Sequence, residues 1–224
     1  MKIEKKKLVI FCGGKATRFN NGKPGPLKPL IKIGKKTILE KIISLYDQKF
    51  YDEIILLGGY KFNELKKFVK NKKNIKAINT GKNTPTGGRV LKIKKIIGKS
   101  EFFLTYGDSL LNYNAAEAIK EKKKSNFVMS GYKYQLDYGV LKLKKNELKK
   151  IFEKNFFIPI NAGFYIFDYT IFNYIKSINE SLEKDIIPRI LKSKKKIKII
   201  FFNNWFPMDN MIDKFKIENK YTHD

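Results

Sequence analysis

The residues best suited to chemistry begin in a glycine-rich stretch near the start of the sequence. The apolar run Lys7–Cys12 leads into Gly13 and Gly14, and the cations Arg18 and Lys28 follow. A glycine-rich turn after a strand lets backbone N–H groups approach phosphate oxygens, whose charge fixed cations then neutralise. This pattern favours a phosphate site. Glycines at a strand end are also common in plain turns, and Lys28 is open to interpretation as one solvated lysine among many.

Two aspartates far apart in the sequence are candidates for a shared cation. Asp108 follows the apolar run Phe102–Tyr106, and Asp209 follows an aromatic stretch about a hundred residues later. Carboxylate oxygens suit Mg²⁺, with phosphate oxygens and waters completing its octahedron. Aspartate is also a favoured N-cap, and a helix can begin after either residue. The metal-binding and capping roles both stay open.

Short apolar runs alternate with helical periodicity and predict the elements that position these residues. Strands are expected at Lys7–Cys12, Glu53–Leu57, Ile75–Asn79, Phe102–Tyr106 and Lys196–Phe202, and helices at Thr37–Phe50, Asn63–Val69, Gly88–Ile97 and Leu182–Leu191. The alternation predicts an α/β fold with a Rossmann-like mixed, mostly parallel sheet and helices on both faces. Ligands bind at the carboxyl ends of such strands.

The second half of the sequence predicts a change in strand pairing. Strand-like runs with shorter connections occupy Asn126–Tyr132, Gly139–Leu143, Leu148–Phe152 and Gly163–Phe167. They indicate mixed or antiparallel pairing near one sheet edge. The length suits one substantial core, so we expect a single domain over residues 1–224.

The composition limits the classes of partner. The net charge is +27, yet lysines supply almost all the positive charge, since only Arg18, Arg89 and Arg189 are arginines. Scattered lysines attract nucleic acid weakly and without specificity, whereas arginine makes the bidentate contacts. We therefore expect no specific nucleic-acid partner.

The cysteine content and apolar runs bear on location. Cys12 is the single cysteine and is expected to be a small buried hydrophobe, and no apolar stretch is long enough to span a membrane. These features predict a cytoplasmic protein with no membrane partner. The only histidine, His223, is expected on the surface of the tail.

The loop and several later motifs resemble those of sugar-1-phosphate nucleotidyltransferases. Gly13–Arg18 followed by Pro24–Pro29 is similar to that family's Gly-Gly-x-Gly-Thr-Arg and Pro-Lys-Pro signature, with Ala16 replacing the third glycine and Leu27 replacing a proline. Further motifs resemble those of glucose-1-phosphate cytidylyltransferases, namely Thr86–Arg89, Thr105–Asp108, Asn161–Tyr165 and Trp205–Asp209 with Asp213–Lys214 after it.

The resemblance implies a reaction and a set of site residues. It implies Mg²⁺-dependent transfer of a nucleotidyl group, expected to be CMP from CTP, to a sugar 1-phosphate, expected to be glucose 1-phosphate. The implied residues are Arg18 and Lys28 for catalysis; Asp108 and Asp209 for the metal; Gly13, Gly14, Thr17, Thr86, Gly87 and Arg89 for the nucleotide; and Glu153, Lys154, Asn161 and Gly163 for the sugar phosphate. Asn155 stands where the family has a proline after its Glu-Lys pair.

Other assignments stay open. Tyr138–Val140 and Ser181–Asp185 are similar to segments of guanylyltransferases that act on heptose or mannose phosphates. The chain also lacks an insertion that glucose-1-phosphate cytidylyltransferases carry before their Thr-Gly-Gly-Arg motif, where it is implicated in subunit contacts. Guanylyl, thymidylyl or uridylyl transfer, a non-catalytic nucleotide-sugar-binding domain and a homo-oligomer are therefore alternatives. The presence of both cations and both aspartates favours an enzyme.

Overall fold

The structure, a computed structural model, describes residues 5–154 and 156–221, so Asn155 and His223 lie outside the described residues. In chain order the strands are β1 (Lys6–Phe11), β2 (Lys32–Ile33), β3 (Lys36–Thr37), β4 (Tyr51–Gly58), β5 (Ile75–Asn79), β6 (Phe102–Tyr106), β7 (Ser109–Leu111), β8 (Phe127–Gln135), β9 (Val140–Lys144), β10 (Glu147–Phe152), β11 (Phe157–Phe167), β12 (Ile197–Phe201) and β13 (Trp205–Pro207). The α-helices are α1 (Ile38–Leu45), α2 (Phe62–Val69), α3 (Thr86–Leu91), α4 (Lys94–Ile97), α5 (Ala115–Lys122), α6 (Ile187–Lys192) and α7 (Met211–Tyr221).

A seven-stranded sheet in the order β12-β8-β11-β6-β1-β4-β5 forms the centre of the fold. Within it β1 pairs in parallel with β4 and β6, β4 with β5, and β12 with β8. Strand β11 runs antiparallel to its neighbours β6 and β8. The expected α/β class with a mostly parallel sheet is confirmed. Strands β12, β8 and β11 occupy one end of the sheet, so the mixed pairing expected near one sheet edge is observed.

Strand β1 shows why its sequence is apolar throughout. Leu8 and Ile10 pack into one hydrophobic cluster with α1, while Val9 and Phe11 pack into a second with α3 on the opposite face. A strand covered on both faces has no solvent side and therefore no polar alternation. Cys12, at the end of this run, is buried as expected.

The helices differ from the sequence-based prediction in several places: α5 was not predicted, α6 begins at Ile187 rather than at Leu182, and the predictions at 37–50 and 88–97 differ as follows. The α1 helix begins with the expected capping box, in which Thr37 Oγ1 accepts from Glu40 N at 3.2 Å and Glu40 Oε2 accepts from Thr37 N at 2.9 Å. It ends well before Phe50, because the backbone turns extended at Tyr46. The helix expected at 88–97 is two helices, α3 and α4, since Ile93 leaves helical geometry at φ −100° and ψ 6°.

Three small strand pairs lie outside the main sheet, and one of them is the antiparallel pair of β2 and β3. Strands β9 and β10 form an antiparallel hairpin, and we call residues 136–156 that contain it the arm, of which Asn155 is outside the described part. Strands β7 and β13 pair with each other and were not expected from the sequence. No helix in the described ranges is long and apolar enough to cross a membrane.

Candidate active site

The loop after β1 encloses a cleft of about 220 Å³ at the carboxyl edge of the sheet, bordered by Gly14, Thr17 and Asp108. Across the described residues, no backbone N–H from Gly13 to Arg18 donates to a protein acceptor. The loop is nevertheless fixed, because Gly25 N donates to the Lys15 carbonyl oxygen at 2.9 Å. Unpaired amides on a fixed loop suit phosphate oxygens.

Ala16 occupies a position in this loop that favours glycine. Its φ is 54°, in the left-handed region. There the Cβ of a non-glycine residue approaches its own carbonyl oxygen, at a cost of about 1–2 kcal/mol. The replacement of the family's third glycine by alanine therefore leaves local strain.

Four charged residues converge beside the loop, and we call them the charged cluster: Arg18, Lys28, Asp108 and Asp209. Lys28 Nζ lies between the carboxylates, 3.4 Å from Asp108 Oδ2 and 3.1 Å from Asp209 Oδ1. Arg18 Nη1 lies 2.9 Å from Asp209 Oδ2. Lys28 is only 7% exposed, so it is not a solvated surface lysine. Residues chosen from distant motifs thus meet at one point.

Backbone pairing explains why the two aspartates meet. Strand β7 begins directly after Asp108 and pairs with β13, and Met208 N donates to the Asp108 carbonyl oxygen at 2.8 Å. The capping alternative is wrong for both aspartates. Asp108 leads into a strand, and Asn210 caps α7 by accepting from Asp213 N at 2.9 Å, while Asp213 Oδ2 accepts from Asn210 N.

The chemistry of the two carboxylates fits a divalent cation. Burial raises the pKa of Asp108, the nearby Lys28 ammonium lowers it, and the Asp209 carboxylate raises it again, so the pKa lies above its usual value. An added cation would favour the ionised form of both groups. In the described part of the chain no group of three or more acidic, histidine or cysteine residues is placed to hold a metal. Phosphate oxygens and waters would therefore supply the remaining ligands.

Arg89 lies beneath the loop and supports it. The side chain is 6% exposed and donates to the Gly58 carbonyl oxygen at 2.8 Å, to the Gly13 carbonyl oxygen at 3.2 Å and to Thr80 Oγ1. A Cβ at Gly13 would lie 2.2 Å from Arg89 Nη1, which explains the glycine. Burial lowers the pKa of Arg89, and its acceptors are neutral, so its charge adds positive potential under the loop.

Thr86 and Gly87 pack against a neighbouring segment of the chain. Thr86 Oγ1 donates to Glu183 Oε2 and accepts from Leu182 N, both at 2.8 Å. A Cβ at Gly87 would lie 2.7 Å from the Glu180 carbonyl oxygen. Among the residues expected to bind nucleotide, Gly14 and Thr17 therefore line the cleft, whereas Gly13, Thr86, Gly87 and Arg89 have contacts that support it.

The residues expected to bind the sugar phosphate fall in two places. Asn161 Oδ1 accepts from Gly163 N at 2.9 Å, and Gly163 has a φ of 81° and no room for a Cβ, which would lie 2.7 Å from Tyr106. Glu153 and Lys154 lie in the arm and are exposed. Within the described ranges, neither makes an ion pair or side-chain hydrogen bond with the charged cluster.

The comparisons with known proteins place the chain in a family. The family model described as nucleotidyl transferase matches residues 7–222. The chain belongs to the nucleotidyl transferase family. Members of this family generally use a divalent metal for the transfer. The two neighbouring carboxylates of this nucleotidyltransferase are of the type that binds such a metal.

Individual relatives cover nearly the whole length of this nucleotidyltransferase. A probable glucose-1-phosphate cytidylyltransferase of Bacillus subtilis (strain 168) is 29% identical over 245 residues, covering 96% of each chain. The crystal structure of HddC from Yersinia pseudotuberculosis matches with a TM-score of 0.77 and 24% identity over 96% of this chain and 99% of that one. A putative glucose-1-phosphate thymidylyltransferase from Bacillus anthracis matches with a TM-score of 0.76 and 15% identity over 98% and 96%.

Sequence reasoning missed several residues that shape the site. The Tyr106 hydroxyl donates a hydrogen bond to Glu183, and Thr80 Oγ1 accepts one from Arg89. Tyr106 and Glu183 stood in quoted motifs, but nothing in their spacing showed that they meet. The signal that could have found Tyr106 is its position directly before Gly107 and Asp108 at a strand end.

Proposed function

We propose that this nucleotidyltransferase transfers CMP from CTP to glucose 1-phosphate, giving CDP-glucose and pyrophosphate. The observation that carries the proposal is the convergence of Arg18, Lys28, Asp108 and Asp209 beside a loop of unpaired amides. The choice of CTP and glucose 1-phosphate is supported by the similarity of the motifs to cytidylyltransferases and by the Bacillus subtilis relative.

The nucleophile needs little activation. A phosphate monoester has a second pKa near ~6, so an oxygen of the sugar phosphate is already anionic at neutral pH and no general base is required. The difficulty is to bring two anions together in line. The loop amides and Arg18 bind the triphosphate, and Lys28 stabilises charge as the sugar phosphate attacks the α-phosphorus and pyrophosphate leaves.

Asp108 and Asp209 are the residues that would hold Mg²⁺. When bound, the ion would neutralise and orient the phosphates. Lys28 Nζ lies between the same carboxylate oxygens, so the ammonium and the ion share one pair of partners. We expect Lys28 to donate to a phosphate oxygen once the metal and the nucleotide are present.

The sugar phosphate is assigned to the remaining expected residues. Asn161 and Gly163 lie at an irregularity within β11, beside Tyr106 at the end of β6, and Asp108 follows two residues after Tyr106. Glu153 and Lys154 of the arm are proposed to bind the sugar and its phosphate. Lys154 carries the positive charge that the phosphate requires.

Guanylyl transfer to a heptose or mannose phosphate is the second candidate. Another structure of the Yersinia pseudotuberculosis HddC, complexed with GMP-PN, matches this chain with a TM-score of 0.76. Tyr138–Val140 and Ser181–Asp185 resemble guanylyltransferase segments. Cytosine and guanine both offer amino groups to a base pocket, so only a measurement separates them.

The deciding experiment is a screen of pyrophosphate release with Mg²⁺. CTP, GTP, UTP, ATP and dTTP are each paired with glucose, mannose and heptose 1-phosphates, and CTP with glucose 1-phosphate is expected to give the highest kcat/KM. A higher value for GTP or dTTP would remove the cytidylyl assignment and leave nucleotidyl transfer intact. No release with any pair would favour a non-catalytic nucleotide-sugar-binding domain.

We propose a setting as well as a reaction. The partners are a nucleoside triphosphate and a sugar 1-phosphate, with no specific nucleic acid and no membrane. The single buried thiol, Cys12, supports a reducing compartment and hence the cytoplasm.

A further inference from the structure

Glu183 lies where the start of α3 meets the end of β6, two residues before Asp108. Its Oε2 accepts from Thr86 Oγ1 at 2.8 Å and from Ser181 Oγ at 2.9 Å. Its Oε1 accepts from the hydroxyl of Tyr106, the residue at the end of β6. One carboxylate therefore joins α3, the segment before α6 and the central sheet.

The environment of this carboxylate is unusual for a residue that only packs. Glu183 is half-buried, and within residues 5–154 and 156–221 it forms no ion pair. Burying a carboxylate without a cation costs free energy unless hydrogen bonds compensate. Here three hydroxyl groups provide that compensation. An uncharged residue could fill the same space, so the carboxylate calls for a functional reason.

Tyr106 connects Glu183 to the part of the chain that carries Asp108. A Cβ at Gly163 would lie 2.7 Å from the Tyr106 ring, and the ring centroids of Phe11 and Tyr106 are 5.1 Å apart. With its ring packed on both sides and its hydroxyl bonded to Glu183, Tyr106 has little freedom. Gly107 N donates to the Phe11 carbonyl oxygen at 2.9 Å, and Asp108 comes next.

From Thr86 the contact reaches the phosphate loop. Thr86 is the first residue of α3, which also carries Arg89. Arg89 in turn donates to the carbonyl oxygen of Gly13. The position of α3 therefore determines the position of the loop from Gly13 to Arg18, whose backbone amides are unpaired.

We propose that Glu183 is a positioning residue for nucleotidyl transfer. It fixes the end of β6, which leads to Asp108, relative to α3, whose Arg89 supports the loop after β1. This inference rests on the proposed transfer reaction but not on the identity of the base or the sugar. Glu183 acts through Tyr106 and Thr86, without touching the reacting atoms.

The chemistry of the three donors explains the choice of glutamate. All three hydroxyls donate to the carboxylate, and ionised glutamate accepts through both oxygens. Glutamine keeps the shape but turns one end into an NH₂ group, which would face a hydroxyl donor. Glu183→Gln is therefore the informative isosteric variant, and Glu183→Ala removes the link.

The test combines turnover with amide hydrogen exchange in the full chain. Glu183→Ala and Tyr106→Phe should each lower kcat by at least ~10-fold with KM for both substrates changed less than about threefold, because a small misplacement of reacting groups costs this much. Glu183→Gln should lie between wild type and Glu183→Ala. Lys184→Ala, an exposed neighbour, should match wild type. The double variant Glu183→Ala, Tyr106→Phe should be no slower than the worse single variant.

Hydrogen exchange provides the readout that does not depend on turnover. Glu183→Ala should accelerate exchange of the amides of Gly107 and Arg89, which donate to the carbonyl oxygens of Phe11 and Pro85, by at least about tenfold more than it accelerates exchange of the β1 amides, which report global stability. Faster exchange confined to residues 181–186, or additive losses of kcat in the double variant, would overturn the inference. An inactive wild type would contradict the proposed function alone, and the exchange result would still decide the role of Glu183.

Discussion

The cleft and the arm are built in different ways, although both are expected to bind phosphate. In the cleft, Lys28 is buried and held between two carboxylates, and Arg89 is buried beneath the loop. In the arm, Glu153 and Lys154 are exposed, and the hairpin presents four aliphatic residues to solvent: Leu141, Leu143, Leu148 and Ile151. Packing fixes Lys28 and Arg89 in the cleft, whereas it does not fix Glu153 and Lys154 in the arm.

This contrast separates chemistry from specificity. Groups that stabilise charge in the transition state work best when they are held in place beforehand. Groups that recognise a substrate contribute to KM as well, and they tolerate looser support. Substitutions in the cleft should therefore act mainly on kcat, and substitutions in the arm mainly on KM for the sugar phosphate.

The largest effect is expected from the two aspartates. Asp108→Asn and Asp209→Asn should each lower Mg²⁺-dependent kcat/KM by on the order of 10³-fold, since each removes a charged metal ligand. The double variant should cost little more than the worse single one, because both residues act through one ion. Steady-state kinetics measure the losses, and circular dichroism checks folding. If the loss of kcat/KM in the double variant equals the product of the two single losses, the two aspartates do not act through one ion.

Substitution of Lys28 should give the second-largest loss of kcat/KM. Lys28→Ala is expected to lower kcat/KM by ~10²-fold, as removal of one preorganised electrostatic partner does. The exposed Lys23→Ala in the same stretch is the control and should change little. An effect under about threefold would show that Lys28 is only a structural partner of the two carboxylates and takes no part in transfer.

The arm should show a smaller effect of a different kind. Lys154→Ala is expected to raise KM for the sugar 1-phosphate by roughly tenfold while kcat and KM for the nucleotide stay within a factor of about two, because it removes one phosphate contact. The exposed Lys142→Ala in β9 provides a matched loss of charge. An equal fall in kcat would erase the distinction between cleft and arm.

The smallest effect concerns stability. Ala16→Gly should raise the free energy of unfolding by about 1 kcal/mol, because it relieves the left-handed backbone at φ 54°. Ala118→Gly, buried inside α5, should lower it by about 2 kcal/mol, because it removes a buried methyl group as well as helix propensity. Denaturant unfolding measures both. A destabilised Ala16→Gly would show that the loop is not strained.

The sequence predicts the sheet well because its signals are local. The apolar runs at β1, β4, β5 and β6 end at glycine or asparagine close to where the strands end. Helix ends are less well predicted, since the turn at Tyr46 and the break at Ile93 depend on packing. The strands β7 and β13 are only three residues each and were missed, because such short runs carry no periodic pattern.

The residues of the site also fall into a group that the sequence predicts and a group that it does not. Arg18, Lys28, Asp108 and Asp209 were chosen from motifs, and the structure brings them together. The contacts of Arg89 with Gly13 and of Glu183 with Tyr106 join residues more than seventy positions apart. No local pattern encodes such pairs, so the sequence alone could not reveal which residues support the cleft.

A crystal structure with Mg²⁺, CTP and glucose 1-phosphate, trapped before turnover with a non-hydrolysable analogue, tests the central claim most directly. One oxygen from Asp108 and one from Asp209 should lie ~2.0 to 2.1 Å from the same Mg²⁺, with Lys28 Nζ on a phosphate oxygen. The triphosphate should accept from loop amides between Gly13 and Arg18. A metal bound by neither aspartate or by only one of them, or a triphosphate away from that loop, would contradict the account.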